Sequence, residues 1–192
     1  SQGTPVVFNP LPTAILGSDG SVCAGSQFII PVTLTGVPPY SLTWALNGVQ
    51  QPTQSGIPSS NFQLAIQPAV NTTVTLVSVS DSRCSAPVTD TAVITVNTAP
   101  LVQNLNVSCN LTTQTYVLQF TASGTAPFNI SGVPGAFVND TFTSLPIPNV
   151  TDYSFQLSDA NNCGQTTISG MPNCACITNA GVMDQTQLTV CN

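Results

Sequence analysis

Apolar and polar residues alternate along most of this chain, the period of strands that bury one face. Phe28, Ile30, Val32 and Leu34 form one such series, and Tyr40, Leu42, Trp44 and Leu46 form another. Phe62, Leu64 and Ile66 follow, then Ala92, Ile94 and Val96. The second half continues with Tyr116, Leu118 and Phe120, and later with Tyr153, Phe155 and Leu157. Helical spacing is nowhere sustained. Ser18-Asp19-Gly20, Val37-Pro38-Pro39 and Asn47-Gly48 are turn signals between the series. Short alternating segments with this punctuation predict an all-β chain of immunoglobulin-like β-sandwich architecture.

The two halves repeat each other, which sets the expected number of domains. Gly36, Pro39, Tyr40 and Leu42 match Gly124, Pro127, Phe128 and Ile130 at identical spacing. Phe62 and Pro68 match Phe142 and Pro148. Ser80 and Asp81 ahead of Cys84 match Ser158 and Asp159 ahead of Cys163. Two tandem sandwiches are therefore expected, one over 1–98 and one over 99–192, with the boundary near Asn97-Thr98-Ala99-Pro100.

Each half also has an early cysteine, Cys23 or Cys109, and the repeat register predicts bridges from Cys23 to Cys84 and from Cys109 to Cys163. Closing a loop of about 60 residues stabilises by roughly 4 kcal/mol in the chain-entropy account. Trp44 lies between the two cysteines of the first half, as the core Trp of immunoglobulin domains does, and is expected in the core. Cys174, Cys176 and Cys191 are left over. Either Cys174 and Cys176 bridge each other or one of them reaches Cys191, and spacing does not choose.

Charge is nearly absent: the 192 residues hold one cation, Arg83, seven Asp, no Glu and no His, for a formal charge of -6. General acid-base catalysis draws mainly on His, Glu and Lys, zinc sites on His and paired Cys, and nucleic-acid binding on Lys and Arg. The composition therefore predicts no enzyme, no metal or other cofactor, and no nucleic-acid partner. With 42% hydrophobic residues the low charge does not signal disorder. No apolar run reaches the roughly 18 to 20 residues of a membrane-spanning helix. The N-terminal residues carry no basic, apolar leader, so a mature chain or a piece of a longer one is expected. Seven cysteines in so uncharged a chain point to an oxidising, extracellular setting. Asp81 and Asp159, each just before a late cysteine, read as turn caps rather than catalytic acids.

Certain motifs extend this picture. The first half contains Ser21-Val22-Cys23-Ala24-Gly25-Ser26, then Val32-Thr33-Leu34-Thr35-Gly36-Val37-Pro38-Pro39-Tyr40, then Ser78-Val79-Ser80-Asp81 before Cys84. The second contains Ser158-Asp159-Ala160-Asn161-Asn162-Cys163 and Asn173-Cys174-Ala175-Cys176 running into Ala180-Gly181-Val182-Met183. In this order they resemble immunoglobulin-like repeat modules of giant surface proteins of Bacteroidota, the gliding and adhesion proteins exported by type IX secretion. The resemblance implies a stalk or filament module at the cell surface, without catalytic residues. Its partners would be neighbouring modules or copies of the same filament.

Three finer expectations remain. Leu188-Thr189-Val190-Cys191 echoes the segment around Cys23, so Gln187, Leu188, Thr189 and Val190 are expected either to form an inter-module strand or to be the last strand of the second domain. Asp90-Thr91-Ala92 resembles the Bacteroidota O-glycosylation pattern and makes Thr91 a candidate glycan site. The alternative to a structural role is an accessory carbohydrate-binding module of a secreted enzyme, with surface glycans as its partners. Such modules need exposed aromatics, whereas most aromatics here fall on the predicted buried faces.

Overall fold

The computed structural model describes residues 8–174. The chain divides into two compact units, Ser1–Thr98 and Ala99–Asn192, and every described element is a strand or a connection between strands.

Unit 1 contains β1 (Thr13–Leu16), β2 (Gly20–Cys23), β3 (Phe28–Thr35), β4 (Tyr40–Leu46), β5 (Val49–Gln50), β6 (Gln54–Ile57), β7 (Asn61–Ile66), β8 (Thr72–Ser80), β9 (Ser85–Pro87) and β10 (Thr91–Asn97). One sheet has the order β1-β3-β7; the other runs β2-β10-β8-β4-β5, with β6 on β4 and β9 on β8. The first strand is shared between the sheets: β1 pairs antiparallel with β3, and β2 pairs parallel with β10. The crossing begins at Gly17, whose N–H donates to the Pro31 carbonyl at 2.8 Å. A Cβ on Gly17 would stand 2.7 Å from Pro31 Cγ, so only glycine lets the chain leave the sheet this closely. Pro31 cannot donate to a ladder, and it occupies β3 just where β1 has departed.

The alternating residues fill the core as their period requires. Ile30, Val32 and Leu34 face Leu64 and Ile66 within one sheet, and the second sheet contributes Leu42, Val74, Leu76, Ala92 and Ile94. Trp44, half-buried, packs against the same cluster.

Unit 2 contains β11 (Leu101–Asn110), β12 (Thr115–Ser123), β13 (Asn129–Ser131), β14 (Gly135–Val138), β15 (Thr141–Ser144), β16 (Ile147–Pro148), β17 (Tyr153–Ser158) and β18 (Thr166–Gly170). One sheet has the order β11-β12-β15-β14, with β16 also on β12, and the other is β13-β17-β18. Setting the short β16 aside, this is the seven-strand arrangement of constant-type immunoglobulin domains, four strands facing three. Its core is aromatic. Phe120 stacks on Phe155 at 5.1 Å between ring centroids, lies 5.1 Å from Phe142 and meets Phe137 edge-on at 6.1 Å. Tyr116 is fully buried yet satisfied, its hydroxyl donating to the Thr151 carbonyl at 2.9 Å. Burial, with the nearby Asp152 carboxylate and Tyr153, pushes its pKa up.

Candidate functional site

The informative chemistry of the described residues lies in their carboxylates and cysteines. Asp81 ends β8 and reaches back to the turn between β3 and β4. Its Oδ2 accepts the Val37 N–H at 2.9 Å, while Oδ1 accepts those of Arg83 at 2.8 Å and Cys84 at 2.7 Å. Three donors that the turns leave unpaired are thereby satisfied by one side chain. They favour the ionised carboxylate, Val37 most, then Cys84 and Arg83, and lower the Asp81 pKa. Gly36, with φ of +125°, allows the approach: a Cβ there would stand 2.5 Å from Asp81 Oδ2.

Unit 2 repeats the device. Asp159 Oδ2 accepts the Thr125 N–H at 3.0 Å, Oδ1 accepts that of Asn161 at 3.2 Å, and a Cβ on Gly124 would stand 2.8 Å from Oδ2. Matching backbone bonds run from Ser82 N to the Val37 carbonyl and from Ala160 N to the Thr125 carbonyl. The peptide bonds Pro38–Pro39 and Ala126–Pro127, at equivalent positions, are both cis. Asp159 is almost completely buried, and Asp81 is half-buried.

Two further carboxylates serve the backbone in the same way, a role that sequence reasoning missed. Asp90 Oδ2 accepts the Leu16 N–H at 2.7 Å, and Asp19 Oδ1 accepts that of Val93 at 2.7 Å. Thr91 is exposed at the start of β10, opposite Thr75. Among the described residues no three His, Cys, Asp or Glu side chains gather as metal ligands.

The cysteines depart from the expected pairing. Cys109 is bonded to Cys174, not to Cys163, with Cα atoms 5.6 Å apart. Strand geometry accounts for this. Cys109 lies opposite Tyr116 at the Asn110 end of β11, whereas Cys163 lies past the end of β17, in the turn whose Ala160 N–H bonds the Thr125 carbonyl. These are opposite ends of the unit. Cys174 follows β18, whose last residue, Gly170, pairs with Tyr153 and so brings the chain back to the Cys109 end.

Cys84 is free, so the expected Cys23–Cys84 bridge is not formed. Cys23 pairs with Asn97 in β2 and β10, and Ala24 N donates to the Asn97 carbonyl, near the start of β8. Cys84 lies past the other end of β8, a nine-residue strand roughly 27 Å long at about 3.4 Å per residue. A disulfide needs Cα atoms within about 7 Å. Cys23 and Cys163 are both disulfide-bonded. Cys176, Cys191 and Gln187 to Val190 lie outside the described residues.

No protein-family model matches the chain, and no curated protein does. Solved structures do. The chain is similar to a three-immunoglobulin-domain structure of titin, domains I67–I69 in an E-to-A variant, with a TM-score of 0.57, 14% identity and coverage of 85% of this chain and 65% of that one. The I67–I69 I-band fragment of titin gives a TM-score of 0.53 at 14% identity, again over 85% and 65%. The N-terminal eight immunoglobulin domains of Down Syndrome Cell Adhesion Molecule give 0.52 at 15% identity, over 86% of this chain and 28% of that one. The chain thus spans about two thirds or less of these relatives' length. At such identities the likeness concerns architecture: the chain has an all-β fold of tandem immunoglobulin-like domains.

Proposed function

We propose that the chain is a structural repeat of an extracellular cell-surface filament or adhesin, a spacer that carries attachment or gliding activity away from the cell. The observation that carries this reading is the duplicated aspartate lock. The same side chain, in the same place in two immunoglobulin-like units, is committed to backbone N–H groups rather than to a substrate. Asp19 and Asp90 are committed likewise. A chain with one cation and no His, Lys or Glu keeps few groups for catalysis.

The finer reading, export by type IX secretion and membership of a long modular surface protein of Bacteroidota, rests on the ordered motifs around Cys23, Cys84, Cys163 and Cys174. Its partners would be adjacent modules or copies. A single basic residue, Arg83, leaves trypsin-like proteases one site in the whole sequence, which suits exposure outside the cell.

A glycan array tests this reading against carbohydrate binding. The described aromatic rings other than Phe8 pack in or against the two cores, so a flat response is expected. Firm, saturable binding to one polysaccharide would overturn the spacer reading in favour of an accessory module.

A further inference from the structure

β7 is the last strand of its sheet: it pairs with β3 on one side, and no strand among the described residues lies on the other. The Leu34 N–H donates to the Ser60 carbonyl at 2.7 Å, which with the β3–β7 register makes Val32–Phe62 and Ile30–Leu64 the mutually bonded pairs. The peptide groups of Asn61, Gln63 and Ala65 therefore point away from β3. The Asn61 carbonyl accepts the Ser59 hydroxyl at 2.9 Å and keeps a second lone pair.

The internal repeat shows what such an edge takes. β15 is the counterpart of β7, each carrying the matched Phe and each pairing with the strand ahead of the cis-proline turn, and β14 covers the outer side of β15. In unit 1 the preceding strand, β6, pairs instead with β4 of the opposite sheet. A strand position filled in one unit is thus open in the other.

Open edges are ordinarily blunted by charge, proline, a bulge or shortness. β11 is broken by a register shift between Gln103 and Asn106, with Asn104 at φ of 54°, and β14 has four residues directly after Pro134. β7 has none of these devices. Its six residues hold no proline, no charge and no register shift, and no charged residue stands between Asp19 and Asp81.

We propose that β7 is a self-association edge, to which β7 of a second copy of this chain adds antiparallel about a two-fold axis through Gln63. The inference rests on the filament reading above and names the surface that joins copies. The edge is self-complementary. That axis sets Gln63 against Gln63 of the second copy and Asn61 against the second copy's Ala65, so each outward donor meets an acceptor. On the core side, half-buried Phe62 comes to lie opposite Leu64 of the second copy, which covers apolar surface as well. Despite the formal charge of -6, no charged side chain of β3 or β7 meets its like.

The test is sedimentation equilibrium of the purified full chain over a range of concentrations, with amide hydrogen exchange on the same samples. A dimer whose fraction rises with concentration is expected, with protection of the Gln63 and Ala65 amides rising alongside. Gln63→Lys sets like charges against each other across the axis, and Gln63→Pro removes an outward N–H without touching the β3 ladder; each should weaken dimerisation at least about tenfold. Protection at Leu64, whose amide bonds inward, verifies that the variants fold. Val138→Lys, on the open edge of β14, should leave the dimer intact. A monomer at every concentration overturns the inference, whether Gln63 and Ala65 exchange freely or are protected by another segment of their own chain. A dimer indifferent to both Gln63 variants does so too. Immunogold labelling judges the filament reading separately: a Gln63-dependent dimer with label confined to the cell interior would sink that reading and leave this edge standing, and labelled fibres built from a chain that stays monomeric would do the reverse.

Discussion

Asp81 holds the backbone N–H of Val37 at 2.9 Å and thereby ties the end of β8 to the turn that follows β3, residues 44 apart in the chain. Asp159 does the same for Thr125 at 3.0 Å. Because Asp159 is nearly fully buried, Asp159→Ala leaves the Thr125 and Asn161 N–H groups without an acceptor. Unit 2 is expected to lose about 1 to 3 kcal/mol, read from denaturant midpoints. Asp81→Ala lowers the stability of unit 1 by less, since its turn is more open to water.

The lock requires glycine opposite the carboxylate. Gly36→Ala places a methyl group 2.5 Å from Asp81 Oδ2 in a backbone region that side chains avoid. The expected cost is about 1 to 3 kcal/mol. Gly25→Ala is the control, with φ of +73° and open space around the new Cβ, and should cost about 1 kcal/mol from the backbone alone. Equal losses for the two variants would remove the carboxylate contact as the cause.

Acid should weaken unit 1 through Asp81. Its pKa is lowered in the folded state, so the unfolded chain takes up the proton first. The stabilisation is fully present above the unfolded value of about 4 and is lost as pH falls through the folded one. Hydrogen exchange of the Val37 and Cys84 amides as a function of pH should show protection falling in that window, with a shallower dependence in Asp81→Asn.

Cys109 and Cys174 are 65 residues apart, so their bridge restricts most of the unfolded ensemble of unit 2. Replacing both with Ala should destabilise that unit by up to roughly 4 kcal/mol. Phe120→Ala, which empties the centre of the aromatic cluster, should cost about 3 to 5 kcal/mol. Amide exchange at Tyr116 and Phe155 would follow both effects.

Strand content was legible because one period organised it: Ile30, Val32 and Leu34, or Tyr116, Leu118 and Phe120, are buried as their alternation demands. Trp44 keeps its place against the core although the β4–β8 register shifts between Thr43 and Trp44, where Val77 of β8 is the extra residue. The turn-capping role of Asp81 and Asp159 was also readable, since each precedes a cysteine at the end of a strand. Bridge pairing was not. Sequence register says which cysteines are equivalent, but pairing depends on which end of a sandwich each reaches, and that follows from strand direction and length. Cys23 lies at the end of a strand that has changed sheets at Gly17, and no local pattern announced the change. The acceptors Asp19 and Asp90 act across 74 residues, a distance at which spacing carries no signal.

The central claim, that this is a repeating structural module outside the cell, is tested most directly by immunogold electron microscopy of intact cells with an antibody raised against the chain. The account predicts gold in rows along surface fibres. Label confined to the cell interior, or to soluble secreted protein with no fibre beneath it, would contradict it.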